Sequence, residues 1–153
     1  MKISIIIAVY KDSESLKVVL ESLYSQSYKE FEVIIAEDCE ENKMKELLGL
    51  WKEKIKIKHV FQEDKGFRKN KILNKAIKVS EGEYFIFLDG DCMVHSDFVL
   101  EYSKKVAENN LLVGRRVMLS KKLTESIKNN FYIPSLIQIL LSKSSYKEEG
   151  IKL

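Results

Sequence analysis

The chain has 153 residues, 45% of them apolar and 32% charged, as in an ordinary soluble domain long enough to bury a sizeable core. Its net charge of +3 comes from 26 basic and 23 acidic residues, and only three of the bases are arginines (Arg68, Arg115, Arg116). The lysines are scattered and form no concentrated basic stripe, which argues against a nucleic-acid partner. Cys39 and Cys92 lie far apart with no Cys-x-x-Cys pair, so neither a disulfide framework nor a zinc site is expected, and a reducing cytosol suits them.

The first residues form a strand-like run without the sections of a signal peptide, so none is expected. Ile3 to Val9 is a near-continuous aliphatic run, the pattern of a strand buried on both faces. Asp12 is placed to cap a helix carrying Leu16, Val19, Leu20 and Leu23 at helical spacing. Phe31 to Ala36 reads as a second strand ending in Glu37-Asp38, and Glu41 to Trp51 as a second helix. Ile55 to Phe61 alternates more and is predicted as a third strand nearer an edge. Gly66 precedes a third helix with Ile72, Leu73, Ala76, Ile77 and Val79 on its apolar face. Tyr84 to Leu88 is a fourth, wholly apolar strand. Ser96 is placed to cap a helix through about Glu108, and Leu111 to Leu119 is predicted as a fifth strand. Strands alternating with helices imply an α/β fold with a largely parallel sheet and right-handed crossovers.

In such sheets ligands bind beyond the carboxyl ends of the strands. Three of the first four strands end in chemically suggestive residues: Ala8-Val9-Tyr10, Glu37-Asp38 and Asp89-Gly90-Asp91. Asp89 and Asp91 stand two apart, so in extended backbone both project to one side and suit a divalent cation with oxygen ligands. The alternative is an Asp-Gly hairpin turn, although Met93 to Phe98 lacks the alternation of a returning strand. Asp38 can accept hydrogen bonds from a base or ribose, or can merely cap the next helix with Glu37. Tyr10 can stack on a base or close the core as a lid. Asp64 to Lys71 sets four basic groups around a helix start, where free N–H groups attract anions. Arg68 and Lys71 lie three apart and can both face a diphosphate; the alternative for the lysines is a solvated helix face. His95 follows the Asp pair but reads as a surface residue, and His59 as structural. No Gly-x-Gly-x-x-Gly or Gly-Lys-Ser/Thr loop occurs.

Together these motifs resemble the family-two glycosyltransferases with a GT-A fold. Ile5-Ile6-Ile7-Ala8-Val9-Tyr10 looks like the family's opening Ile-Ile-Ile-Pro-Val-Tyr, and Glu37-Asp38 like its Asp-Asp after strand two. Gly66-Phe67-Arg68 followed by Ile72-Leu73-Asn74-Lys75-Ala76-Ile77 is similar to a subgroup that shares Phe-Leu-Asp-Gly-Asp-Cys and the later Gly114-Arg115-Arg116-Val117. The resemblance covers about residues 2 to 119. It implies a GT-A-like nucleotide-sugar-binding core over 1–119; residues 120–153, which it does not cover, read as a C-terminal helical tail of the same domain with no assigned role. Ala8, Tyr10 and Asp38 would surround the nucleoside, commonly a uridine, and Arg68 would lie near the nucleotide. Asp89 and Asp91 would contact ribose, metal and diphosphate, with Mn2+ or Mg2+ as the cofactor. The reaction would carry a sugar from a nucleotide donor, UDP in the first instance, to a hydroxyl acceptor, with an envelope polysaccharide or lipid-linked glycan the usual destination.

Family members place a further acidic segment downstream, where one acid deprotonates the acceptor hydroxyl. Here the acids beyond residue 119 are Glu125, Glu148 and Glu149, and the last two read as solvated surface. The expectation is therefore a short form that retains donor binding, with the catalytic base unassigned. The rivals are a complete minimal transferase using Glu148 or Glu149, a non-catalytic nucleotide-sugar-binding subunit or sensor, and a nucleotidyltransferase. The last lacks its Gly-rich basic loop after strand one. The apolar stretch Ile133 to Leu141 is expected to pack on its own domain, the alternatives being a subunit contact or a surface resting on the inner face of a membrane. The expected location is cytoplasmic.

Overall fold

The computed structural model describes residues 1–130 and 132–146. Its core is a four-stranded, wholly parallel sheet built from β1 (Ile3–Val9), β2 (Phe31–Glu37), β3 (Ile57–Phe61) and β4 (Tyr84–Asp89) in the order β3-β2-β1-β4. The central strands explain the aliphatic run at the start of the chain. Ile3, Ile5 and Ile7 face one layer and Ile6 faces the other, and none of the four is exposed. Burying one such side chain stabilises the fold by about 1.5–3 kcal/mol.

Two helical layers cover the sheet. On one side α1 (Ser13–Tyr24) and α2 (Asn42–Trp51) contribute Leu16, Val19, Leu20, Leu23, Met44, Leu48 and Trp51. On the other, α3 (Lys69–Val79) lays Ile72 and Ala76 against Ile6, Ile34 and Ala36, with Leu73 and Ile77 half-buried. Val79, expected on that apolar face, is 41% exposed. Asp12 caps α1 by accepting a hydrogen bond from the Ser15 N–H at 2.9 Å, as its position predicts.

Several expectations are corrected. β3 begins at Ile57 because Ile55 belongs to the turn closing α2, its N–H donating to the Trp51 carbonyl. The next helix, α4 (Phe98–Lys105), starts after Asp97, whose carbonyl accepts the Glu101 N–H. Ser96 does not cap it; its carbonyl instead accepts the Ser27 N–H. β4, though apolar from Tyr84 to Leu88, is an edge strand: α3 packs on β1, β2 and β3, and Phe85 and Phe87 stay 38% and 52% exposed on the face it leaves bare. The fifth strand does not form. Gly114, Arg115 and Arg116 break the apolar alternation of 111–119, and its one pairing is an isolated antiparallel bridge from Met118 to Ser145.

The chain divides into a first unit, Met1–Ser103, which holds the whole sheet, and a second from Lys104 onward. The second contains α5 (Lys121–Asn130) and the short α6 (Leu136–Leu141). Within α6 no residue is fully buried; Ile139 is half-buried and Leu141 is 84% exposed. Among the described residues no helix is long and apolar enough to cross a membrane. Glu148 and Glu149 lie outside the described residues.

Candidate functional site

Because every strand runs the same way, all four carboxyl ends meet at one edge of the sheet. The register aligns Ala8 with Ala36 on one side and with Asp89 on the other, and Val9 with Glu37. Asp38 follows directly, its N–H donating to the Val9 carbonyl at 3.0 Å. Ala8, Asp38 and Asp89, drawn from three distant segments, thus gather where β1 and its two neighbours end.

Asp38 is 4% exposed and is tied to the chain through both oxygens. Oδ1 accepts from Gln62 Nε2 at 2.5 Å and Oδ2 from the Arg68 N–H at 2.7 Å. It therefore pins the β3–α3 loop to the end of β2. A carboxylate oxygen has a second lone pair, so a bound hydroxyl or base N–H can still be received. Gln62 also donates to the Arg68 carbonyl at 3.2 Å, and its own Oε1 is buried without a hydrogen-bond donor. The sequence singled out neither Gln62 nor its role. One residue past the last strand position, it carries no charge that could have marked it.

Glu37 behaves differently from its neighbour. It is fully buried, accepts from His59 Nε2 at 2.8 Å, and receives the Glu41 N–H at 3.1 Å and the Cys39 thiol at 3.3 Å. The helix-capping alternative thus describes Glu37 and not Asp38, and His59 is structural. Glu37, Cys39 and Glu41 bring potential ligand atoms within 4.8 Å of one another. Burial, however, pushes the Cys39 thiol up to about 11, so it stays protonated at neutral pH and is a poor metal ligand.

Tyr10 is half exposed at the end of β1, its hydroxyl 3.3 Å from Asp64 Oδ2. Lys11 adopts a left-handed φ of 50° and places its ammonium 2.8 Å from the same carboxylate, a backbone conformation that costs energy for a non-glycine residue. The Lys11 hydrogen bond holds the Asp64 carboxyl below its usual range. Arg68 forms the N-cap position of α3; its Nη2 donates to the Glu63 carbonyl, while Nε is buried with no hydrogen-bond partner. An orphaned guanidinium N–H at a helix start suits an anionic oxygen. Lys71, expected beside Arg68, is exposed on α3. Lys69, which the sequence did not single out, reaches the acidic edge, with Nζ 2.5 Å from Asp89 Oδ1.

Asp89 and Asp91 flank Gly90, whose N–H donates to the Ala8 carbonyl at 2.8 Å. A Cβ at position 90 would stand 3.1 Å from that oxygen and from Val9, so the glycine lets β4 end tight against β1. The Asp-Gly pair is no hairpin turn: the chain continues into turns and then α4. Asp89, Asp91 and Cys92 can bring ligand atoms within 4.8 Å of one another. Two carboxylates on an open edge fit Mg2+ or Mn2+, which keep several waters and take oxygen ligands, better than a metal that demands thiolate. His95 is exposed and outside this group. An open depression of about 450 Å3 between the starts of α1 and α2, lined by Lys11, Asp12, Ser13, Glu14, Glu41, Asn42 and Lys43, includes none of Ala8, Tyr10, Asp38, Arg68, Asp89 and Asp91.

A parallel sheet flanked by helices, with acids gathered at its carboxyl edge beside a basic helix start, makes this an α/β protein with its candidate site at that edge. The sequence matches the family model "Glycosyl transferase family 2" over residues 4–151, and the chain belongs to that family. An uncharacterized glycosyltransferase of Rickettsia felis is 28% identical over 145 residues, covering 90% of this chain and 24% of the relative. Poly(ribitol-phosphate) beta-N-acetylglucosaminyltransferase TarS of Staphylococcus aureus (strain Mu50) is 26% identical over 112 residues, 72% of this chain and 20% of the relative. The crystal structure of TarS 1–349 in complex with UDP-GlcNAc aligns with a TM-score of 0.63 at 20% identity, over 88% of this chain and 49% of that one. Mannosyltransferase PcManGT of Pyrobaculum calidifontis, in complex with GDP-Man and Mn2+, aligns equally at 0.63 and 20% identity, over 74% and 35%. The fold is GT-A. The chain spans about a quarter or less of the length of these two curated relatives.

Proposed function

We propose that the edge formed by Ala8, Tyr10, Asp38, Arg68, Asp89 and Asp91 binds a nucleotide-diphosphate sugar, with UDP as the nucleotide, for transfer to a hydroxyl acceptor. The observation that carries this reading is the convergence of three strand ends on Asp38 and Asp89, beside an Arg68 Nε that is buried and unpartnered. The names of the TarS and PcManGT complexes, one with a UDP-sugar and one with a GDP-sugar and Mn2+, support the ligand class.

In this reading Asp38 receives the nucleoside and also holds the Arg68 backbone, so the base site and the phosphate side of the loop are set by one carboxylate. Tyr10 offers its ring at the rim. Arg68 directs its free N–H, and Lys71 its charge, toward the diphosphate. Asp89 and Asp91 would hold Mn2+ or Mg2+, which when bound offsets the charge of the departing nucleotide diphosphate. Transfer breaks the bond from the sugar's anomeric carbon to the phosphate oxygen and forms one to the acceptor oxygen. The hydroxyl proton must pass to a base, and no described acid of this chain is assigned that role.

Calorimetric titration with UDP, with and without Mn2+, tests the reading. Metal-dependent binding is expected, with a loss of at least ten-fold in Asp91→Asn. A folded wild-type chain that binds neither UDP nor GDP would overturn it.

A further inference from the structure

Resting on that reading, we infer that Lys69 is an internal counter-ion of the metal site: it occupies Asp89 when no metal is bound and turns to the diphosphate when one is. Lys69 is the first residue of α3, directly after Arg68, whose N–H is fixed by Asp38. Its ammonium lies 2.5 Å from Asp89 Oδ1, while Asp91, with its own potential ligand atom in the same group, stands exposed beside it. The ammonium thus pairs with a carboxylate that a cation held by Asp89 and Asp91 would have to share. Both partners are partly exposed, 37% and 46%, and an ion pair in that setting is weak enough to exchange.

The charge arithmetic gives the exchange a direction. A divalent ion arriving alone must displace a positive group and then sit near it, so Lys69 weakens the bare metal. An arriving diphosphate supplies new negative charge at the start of α3, where the helix N–H groups already favour it. The freed ammonium then has a better partner than Asp89. One side chain therefore opposes the metal alone and favours metal and nucleotide together, which biases loading toward the joint complex.

The test uses Lys69→Met, which keeps the aliphatic stem, with Lys69→Arg and Lys78→Met for comparison. Lys78 lies in the last turn of α3 and makes the same change in net charge far from Asp89. Mn2+ binding without nucleotide is read by the electron paramagnetic resonance signal of the free ion, and UDP binding at saturating Mn2+ by calorimetry. Lys69→Met is expected to bind bare Mn2+ about three- to ten-fold more tightly and UDP at least three-fold more weakly. Lys69→Arg and Lys78→Met should stay near wild type in both. Bare Mn2+ affinity that is unchanged or lower in Lys69→Met overturns the inference while the donor-site reading stands, provided wild type binds UDP. A wild type that binds neither Mn2+ nor UDP removes both.

Discussion

Asp38 and Gly66 show how single positions hold the β3–α3 loop in place. Asp38 accepts the Arg68 N–H, and the chain can approach it only because Gly66 turns through a φ of +78°. No atom outside its chain neighbours lies within 4 Å of where a Cβ would stand at Gly66. A substitution there meets a backbone penalty and no steric one, of about 1 kcal/mol. Gly66→Ala is therefore expected to lower the thermal midpoint by only a few degrees while weakening UDP binding several-fold, because the strain falls on the loop that carries Arg68. Differential scanning fluorimetry beside calorimetry checks the split; equal loss of stability and no loss of affinity would detach the loop from the site.

At the scale of elements, the opposite edge of the sheet carries a buried charge that the site does not use. Glu32 in β2 has no exposed surface; its Oε1 accepts the Ser4 hydroxyl at 2.8 Å and the Glu81 N–H at 2.6 Å, and its Oε2, which accepts no hydrogen bond, is ion-paired with the Lys58 ammonium at 3.0 Å. Burial opposes its charge, but those three groups outweigh it and hold the carboxyl below its ordinary 4.5. The unfolded chain takes up the proton first as pH falls, so this contribution is complete above about pH 5 and is lost on descent through the folded value. Denaturant unfolding of wild type should show stability falling from pH 5 to pH 3. Glu32→Gln should be less stable at pH 7 and flatter across that window, only partly so because Glu81, paired with Lys2, Lys56 and Lys58, is also held low. Gly82, whose N–H donates to Ser4 Oγ at 2.8 Å, leaves no room for a Cβ against Ser4. Gly82→Ala should cost about 1–3 kcal/mol in the same unfolding measurement, without changing UDP affinity.

At the scale of the molecule, the two units differ in how their chain is held. The first has a sheet and two packed layers, whereas 106–117 in the second is irregular, with Arg115 and Arg116 both exposed. Backbone outside helix and sheet is the easiest for a protease to cut. Brief trypsin treatment, followed by mass spectrometry, should cleave first after Arg115 or Arg116 and leave the sheet-bearing segment intact. First cleavage within α3, despite its four lysines, would show that the layer over the site is less stable than its packing suggests.

Much of this was legible in order of residues. Aliphatic runs of five to seven residues, helices with apolar periods between them and acids after the runs are local patterns. They sufficed for a parallel α/β sheet and for Ala8, Asp38 and Asp89 at one edge, because parallel topology leaves their strand ends no other place to meet. Partners were not legible in the same way. That Lys69 reaches Asp89, that Gln62 secures Asp38, and that Glu37 turns inward to His59 depend on how α3 and β3 sit against β2. Exposure at β4 was not legible either, since Phe85 and Phe87 are apolar like core residues and are bare because α3 lies over the other three strands. Periodicity records which side chains avoid water; which neighbour each one finds is decided by distances between elements remote in the chain.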